Sequence, residues 1–238
     1  MSNEPTGAEL GKKLAAEMAL ELVQPGMTLG LGSGSTAEWF VRLMAGRVTD
    51  GLDVTCVATS RRTEELATHC GVKIYTLDDV GRLDLTVDGA DEIDPALNLI
   101  KGGGGCHLIE KIVAAASAEF VVIADDSKLV KQLGQFPLPV EVAAYGWQTT
   151  ALMIEDILRA SDVDGKEGGR RMFDSLAFQS DENNFILDYH LGRIGDAAGL
   201  ATALNAIPGV VENGLFINMA SRAMIGSKDG TAREVKPK

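Results

Sequence analysis

Apolar and polar residues follow helical spacing at the start of this chain. Leu10, Leu14, Met18 and Leu22 recur at intervals of four, and the pattern stops at the sequence QPG. Proline and glycine break helical patterns, so we predict an amphipathic first helix that ends near Val23. The next stretch, MTLGLGSGSTAEWFVRLMAG, predicts a short buried strand, a glycine turn and a second helix.

Strand-like and helical segments then follow one another in a regular order. Ser35 and Glu38 have the spacing of a capping box at the start of the second helix. The strand-like stretches LDVTCVATS, VKIYTL, LDLTVDGAD and FVVIADDSK are interspersed with the helical stretches TEELATHCG and HLIEKIVAAASA. This order predicts an α/β fold whose mainly parallel sheet is covered by helices on both faces.

The order changes after the prolines at positions 137 and 139. GWQTTALMIEDILRA and GDAAGLATALNAIPGV have helical patterns, and the strand-like GGRRMF and NNFILDYHLG lie between them. We predict a small α+β domain over residues 139–208. Residues 1–138 and 209–238 would then form the larger domain.

Composition narrows the possible functions. The chain has 238 residues, 45% of them hydrophobic, which suffices for a buried core. Its net charge of -12 disfavours binding to nucleic acid or to an acidic membrane surface. No segment approaches the roughly 18 continuous apolar residues of a membrane helix. Three widely spaced cysteines without metal-ligand spacing favour a reducing compartment, so we expect a cytoplasmic protein without a bound metal.

Glycines precede the second predicted helix in the sequence GLGSGST. Free N–H groups and the dipole at a helix N-terminus attract anions, and the glycines allow close approach. The sequence lacks the full dinucleotide fingerprint and the lysine of a P-loop, so it favours a phosphate cradle over a nucleotide site. A tight turn with an ordinary helix cap explains the same pattern. The candidate residues are Ser33, Gly34, Ser35 and Thr36.

A second group of candidates lies in VDGADEID and KGGGG. Asp88 and Asp91 could simply form a polar turn, because aspartate favours turns. Four consecutive glycines, however, cost backbone entropy and add nothing to a core, so we expect them to approach a ligand. Lys101 directly precedes them and would supply positive charge. The candidates here are Asp88, Gly89, Ala90, Asp91, Lys101, Gly102, Gly103 and Gly104.

Two further charged residues are candidates by their position. Glu110 lies at or beyond the edge of the apolar stripe of its predicted helix, so an exposed helix glutamate is the simplest interpretation. Its closeness in sequence to Asp88, Asp91 and Lys101 also makes it a possible general base. Lys128 follows another predicted strand and could equally be a surface lysine.

Several of these motifs together resemble one enzyme family. GLGSGSTA, VDGADEID, KGGGG followed by EK, IADDSK, FPLPVEV and NAIPGVVENGLF occur in the order and spacing of the type A ribose-5-phosphate isomerases. The resemblance covers nearly the whole chain. It implies a Rossmann-like, doubly wound larger domain and a smaller ferredoxin-like domain in a homodimer or homotetramer. It also implies cofactor-free interconversion of ribose 5-phosphate and ribulose 5-phosphate in the pentose phosphate pathway.

The resemblance assigns roles to individual residues. Glu110 matches the proton acceptor of the family, and the segments 33–36, 88–91 and 101–104, together with Lys128, match its substrate-binding segments. Asp88, Asp91 and Lys101 would assist catalysis. Ser33 stands where the family often has threonine, and both residues offer a hydroxyl. Cys106 and His107 match no catalytic position, and we interpret them as packing residues.

Two other functions use related scaffolds. A sugar-phosphate-binding regulator could keep the glycine loops without a base, but it would usually carry a basic DNA-binding segment, which the sequence lacks. An acyl- or CoA-transferring enzyme would use a glutamate as nucleophile. Turnover of a pentose phosphate without CoA separates the three functions.

Overall fold

A computed structural model describes residues 5–237 of the chain. In this range the helices are α1 Ala8–Leu20, α2 Ser35–Thr49, α3 Arg61–His69, α4 Leu77–Val80, α5 His107–Ala115, α6 Trp147–Ala160 and α7 Ala197–Asn205, with a 3-10 turn at Asp126–Lys128. No helix in the described range is long and apolar enough to cross a membrane.

The strands of the same range form four sheets. They are β1 Thr28–Leu31, β2 Thr55–Ala58, β3 Leu83–Asp88, β4 Glu92–Ile93, β5 Leu99–Ile100, β6 Ser117–Asp125, β7 Leu138–Val142, β8 Glu167–Arg170, β9 Met172–Phe173, β10 Leu176–Ala177, β11 Phe185–His190, β12 Val210–Asn213, β13 Leu215–Phe216, β14 Arg222–Gly226 and β15 Ala232–Val235.

The chain divides into two compact units. The larger unit contains the described residues up to Ala90, then Ile109–Leu129 and the described residues from Asn218 onwards. The smaller unit contains Asp91–Leu108 and Val130–Ile217. The domain ranges predicted from the sequence differ from this division at 91–108, 130–138 and 209–217. These segments belong to the smaller unit because Ile100, Leu133 and Leu215 lie in its core, and β12 pairs with β7.

The larger unit contains a six-stranded sheet in the order β15-β14-β6-β3-β1-β2. All neighbours are parallel except β15, which pairs antiparallel with β14. Leu29 and Leu31 of β1 lie in one core with apolar residues of α1, α2 and α3. A Cβ at Gly30 would point to the opposite face of the sheet, where Val113 of α5 lies. Helices therefore cover both faces, and the predicted doubly wound fold is confirmed.

The smaller unit contains an antiparallel four-stranded sheet in the order β12-β7-β11-β8. Along the chain its elements run β7, α6, β8, β11, α7 and β12. This βαββαβ succession with the fourth strand beside the first is the ferredoxin-like arrangement, as expected. Its core joins Val140, Ile154, Leu158, Leu187 and Leu204.

Two predicted elements differ from the structure. VKIYTL was expected to be a strand, but only Ile74 forms a bridge, with Cys56. Thr76 then accepts a hydrogen bond from Asp79 N–H and caps α4, which stops the extended run. The helix expected to reach residue 118 ends at Ala115 because Ser117 already pairs with Leu83 of β3.

Candidate active site

The loop after β1 brings the N-terminus of α2 to the carboxyl edge of the parallel sheet, where ligands of such sheets bind. The predicted capping box is wrong. Gly34 is the N-cap residue, with φ 96° and no side-chain capping bond, and Ser35 is the first helical residue. Glu38 pairs instead with Arg62, at 2.5 Å. No side chain therefore caps α2 at Gly34, as suits an anion cradle.

Ser33 is tied into the protein by its side chain. Its Oγ lies 2.8 Å from Thr59 Oγ1, 2.7 Å from Ser60 Oγ and 3.1 Å from Thr63 Oγ1. Ser60 also caps α3 by accepting a hydrogen bond from Thr63 N–H. These hydroxyls fasten the loop after β1 to the start of α3. The predicted contact between Ser33 and a substrate stays a prediction.

Lys12 of α1 was missed by the sequence analysis. Its Nζ donates to Ser35 Oγ at 2.9 Å and to Glu9 Oε1 at 2.6 Å, and its side chain is only 17% exposed. An ammonium group thus lies at the first turn of α2, where it adds positive charge to the helix N-terminus. In the sequence, Lys12 looks like any charged residue on the polar side of an amphipathic helix.

Asp88, at the end of β3, is fully buried. Its Oδ1 accepts hydrogen bonds from Ser33 N–H at 2.9 Å and from Gly89 N–H at 2.7 Å. A Cβ on Gly32 would lie 2.2 Å from this oxygen, so glycine is required there. The larger unit therefore brings together two of the predicted segments, 33–36 and 88–90.

Asp91 and its acidic neighbours belong to the smaller unit and have different partners. Asp91 Oδ2 accepts a hydrogen bond from Gly103 N–H at 2.8 Å. Asp91 is thereby connected to the four consecutive glycines at 102–105, which we call the glycine loop. Glu92 is buried and accepts from the N–H groups of Gly134 at 2.7 Å and Phe136 at 2.6 Å. Asp94 accepts from amides of its own turn. Each carboxylate of this acidic turn thus orders a different piece of backbone.

Lys101 is 2% exposed, which is rare for a lysine. Its Nζ lies 5.5 Å from the centroid of the Phe216 ring, within range of a cation–π interaction. Its backbone N–H donates to Gly214 O at 2.9 Å, and a Cβ on Gly214 would lie 2.3 Å from Lys101 O. The sequence NGLF at 213–216 therefore helps to position Lys101.

The glycine loop is held from two sides. Gly102 has φ 108°, which favours glycine, and Gly103 N–H is bound by Asp91. On the other side, Arg171 Nη1 donates to Gly102 O at 2.9 Å and to Gly103 O at 3.1 Å. Arg171 was not a predicted site residue, because it looks like an ordinary charged residue beside a strand.

Glu110 is 5% exposed, which contradicts the simplest interpretation, an exposed helix glutamate. It lies on α5, in the part of this helix that belongs to the larger unit. The apolar stripe does not include it, so periodicity gave no sign of burial. Removing a carboxylate from water costs free energy, and buried ionisable groups therefore often mark functional sites.

His107 begins α5 and is fully buried. Its Nε2 lies 3.9 Å from Oε2 of Glu141, which is buried in β7 and accepts hydrogen bonds from Ser180 Oγ and Asn184 Nδ2. Burial raises the pKa of Glu141, while these two hydrogen bonds lower it and Glu212 raises it further. His107 is therefore buried in the smaller unit, beside the polar side chain of Glu141. This agrees with its interpretation as a packing residue.

Lys128 ends the 3-10 turn after β6, at the same edge of the sheet as the loop after β1. The turn is fixed by buried Asp125, which accepts a hydrogen bond from Ser127 N–H at 3.0 Å. Lys128 is half-buried. Its predicted contact with a substrate stays a prediction.

No group of three or more His, Cys, Asp or Glu side chains in residues 5–237 has the arrangement of a metal site. Cys56, Cys70 and Cys106 form no disulfide in the same range.

The sequence model described as ribose 5-phosphate isomerase A (phosphoriboisomerase A) matches residues 55–230. The chain belongs to this family. It is 52% identical over 232 residues to the ribose-5-phosphate isomerase A of Dinoroseobacter shibae, covering 97% of this chain and 89% of that one. The ribose-5-phosphate isomerase A family consists of enzymes, so the expected enzymatic class is confirmed.

Solved structures of the isomerase family share the fold. That of ribose 5-phosphate isomerase A from Methanocaldococcus jannaschii has a TM-score of 0.86 at 39% identity and covers 94% of this chain and 97% of its own. A D-ribose-5-phosphate isomerase in complex with phospho-erythronic acid has a TM-score of 0.89 at 36% identity and covers 96% and 99%. Membership of the isomerase family therefore extends over both units.

Proposed function

We propose that this chain interconverts D-ribose 5-phosphate and D-ribulose 5-phosphate through an enediolate, in the non-oxidative branch of the pentose phosphate pathway. The observation that carries the proposal is the burial of Glu110, a carboxylate nine residues after Lys101, in a member of an isomerase family. An exposed glutamate would need no explanation, whereas a buried one in this family is explained by a role as base.

Glu110 acts as the base in this proposal. Its carboxylate removes the proton from C2 of the open-chain aldose, and the electron pair of the C–H bond forms the C1–C2 double bond of the enediolate. The resulting carboxylic acid returns the proton to C1. The hydroxyl on C2 loses its proton and becomes the ketone, and the former aldehyde oxygen on C1 gains a proton and becomes a hydroxyl. One group that is an anion before the reaction and an acid after the first step suffices for both transfers.

Lys101 offsets the negative charge that develops on the enediolate oxygens. A buried ammonium is well suited to this, because water does not screen it. Asp88 and Asp91 assist ring opening and the movement of protons among the sugar oxygens. Their hydrogen bonds to loop amides fix the orientation of both carboxylates before substrate arrives.

The phosphate group binds at the N-terminus of α2 in this proposal. The segment 33–36 supplies N–H groups and hydroxyls there, and Lys12 supplies a cation within 2.9 Å of Ser35 Oγ. Lys128 contributes a second cation. In a chain of net charge -12, these lysines provide the local positive potential that an anionic substrate requires.

The complex of a related isomerase with phospho-erythronic acid supports the proposed class of substrate. That compound combines a phosphate with a planar carboxylate, and a delocalised anion of this kind resembles an enediolate more than a neutral sugar does. Sites complementary to a transition state bind such analogues tightly.

We also propose a homodimer or homotetramer, as the family resemblance implied. Support comes from the hairpin formed by β9 and β10, on which Met172, Phe173 and Leu176 are 49%, 70% and 74% exposed. Clustered exposed apolar side chains are typical of interaction surfaces.

The substitution Glu110→Gln tests the proposed base. The amide has nearly the same shape but cannot accept the C2 proton, so we expect kcat to fall by roughly 10²- to 10⁴-fold. The assay follows ribulose 5-phosphate formed from ribose 5-phosphate without CoA, and thermal unfolding checks that the variant is folded. In the wild type, deuterium from the solvent should enter C1 of the product.

Glu65→Gln is the matched control, because Glu65 is an exposed glutamate on α3 and its charge change is identical. This variant should keep the wild-type rate. A folded Glu110→Gln variant that also keeps the wild-type rate would exclude Glu110 as the base. A wild-type protein that binds the sugar phosphate without converting it would favour a regulator.

A further inference from the structure

Arg171 lies between β8 and β9 and is anchored on one side chain of β11. Its Nε donates to Asp188 Oδ2 at 2.7 Å and its Nη2 donates to Asp188 Oδ1 at 2.5 Å. The two side chains are 14% and 24% exposed. This two-point pairing fixes the plane of the guanidinium group, unlike a single contact.

The third nitrogen of the guanidinium faces the glycine loop. Nη1 donates to both Gly102 O and Gly103 O, at 2.9 and 3.1 Å. Phe178 lies beside the guanidinium, 5.6 Å away, and its ring would be 2.5 Å from a Cβ on Gly105. The arginine therefore contacts the loop at two consecutive carbonyls, where the chain has no side chains to hold it.

The geometry of the peptide bond determines the direction in which two N–H groups of the loop point. In a trans peptide the C=O and the following N–H point in opposite directions, and the described residues contain no cis peptide. Gly102 O faces Arg171, so Gly103 N–H points the other way, where it meets Asp91 Oδ2. By the same geometry, Gly103 O faces Arg171 and Gly104 N–H points away from it.

The surroundings of Gly104 are open. Gly104 is exposed, and a Cβ built on it would have no atom within 4 Å. Its N–H has no hydrogen-bond acceptor among residues 5–237. A buried N–H would need a protein partner, whereas an exposed one can donate to a ligand.

We propose that Arg171, held by Asp188, is a positioning residue that orients the Gly103–Gly104 peptide so that Gly104 N–H donates to an oxygen of the sugar phosphate. The inference rests on the proposed function and adds a residue outside the predicted substrate-binding segments. Without the guanidinium, the glycine peptides can rotate, because glycine has the largest backbone freedom. The substrate would then have to fix the loop itself, at a cost in entropy.

Three variants test this role. In Arg171→Ala both carbonyl contacts are lost, and we expect kcat/KM to fall by roughly 10- to 100-fold. Arg171→Lys keeps the charge but cannot pair with Asp188 at two points and reach both carbonyls, so it should lose nearly as much. Asp188→Asn keeps the shape but weakens the anchor, so it should lose less than either.

Arg193→Ala is the matched control. Arg193 lies in the same unit and pairs with Asp162 and Asp164, but it contacts no residue of the glycine loop. Its removal should leave kcat/KM unchanged. Millimolar guanidinium chloride, too dilute to unfold the protein, should restore part of the kcat/KM of Arg171→Ala and have no effect on Arg193→Ala.

Two results would overturn the proposal. One is a wild-type kcat/KM in Arg171→Ala. The other is a loss that guanidinium does not restore and that parallels a lower melting temperature, which would make Arg171 a structural residue. If the wild type itself had no isomerase activity, the proposed function would fail instead. Amide NMR shifts of Gly103 and Gly104 in Arg171→Lys would then still test the orientation, with unchanged shifts contradicting it.

Discussion

Buried charges distinguish this chain at the scale of single residues. Asp88, Lys101 and Glu110 are at most 5% exposed, although lysine and acidic side chains are mostly exposed in folded proteins. Buried ionisable side chains often mark functional sites, so their presence at three predicted positions argues for a role beyond folding. Glu92 is also buried, but it was not a predicted site residue, and its hydrogen bonds to the N–H groups of Gly134 and Phe136 give it a structural role.

Cys56 allows a prediction from burial alone. Burial raises the pKa of its thiol to about 12, from an ordinary value of 9.0. The reactive thiolate is the deprotonated form, so at pH 8 this cysteine should be almost entirely inert. Iodoacetamide should modify the half-buried Cys70 and Cys106 first, as measured by mass spectrometry of peptides. Labelling in urea should modify all three, and native labelling of Cys56 as fast as Cys70 would contradict the prediction.

At the scale of elements, the close packing of β1 against α5 allows us to predict the effect of a substitution on stability. A Cβ on Gly30 would lie 2.0 Å from Thr86 Oγ1 and 2.7 Å from Val113 Cγ1. Gly30→Ala should therefore lower the free energy of unfolding by about 1–3 kcal/mol. The measurement is urea unfolding followed by circular dichroism.

Gly46→Ala is the control for that substitution. Gly46 is exposed on α2, and a Cβ there would meet no atom within 4 Å. Alanine has the higher helix propensity, so this variant should gain about 0.5–1 kcal/mol. Equal effects of the two substitutions would mean that the approach of α5 to β1 is looser than described.

The sequence predicted the secondary-structure elements better than it predicted the residues of the candidate site. Apolar spacing around Leu29, Leu31 and Val113 predicted the layered α/β fold because it reflects which face is buried. Glu110 was predicted by its closeness in sequence to other charged candidates and by the family resemblance, but its burial was not, since periodicity counts apolar residues only. Arg171 was missed because its contacts join segments about 69 residues apart.

At the scale of the whole molecule, residues 5–237 contain no cluster of three or more His, Cys, Asp or Glu side chains that could bind a metal ion. Enediolate formation can proceed with a carboxylate base and a lysine. We therefore expect ribose 5-phosphate turnover to survive an excess of EDTA, measured in the same assay as Glu110→Gln. Loss of turnover that a divalent ion restores would show that a metal takes part.

The division into units has a consequence for how this protein can evolve. The backbone passes between the units four times, at 90–91, 108–109, 129–130 and 217–218. Any continuous stretch that includes all of the smaller unit also carries 109–129, and with it strand β6 from the middle of the six-stranded sheet. A recombination event with two crossover points therefore cannot exchange the smaller unit without also exchanging part of the larger one.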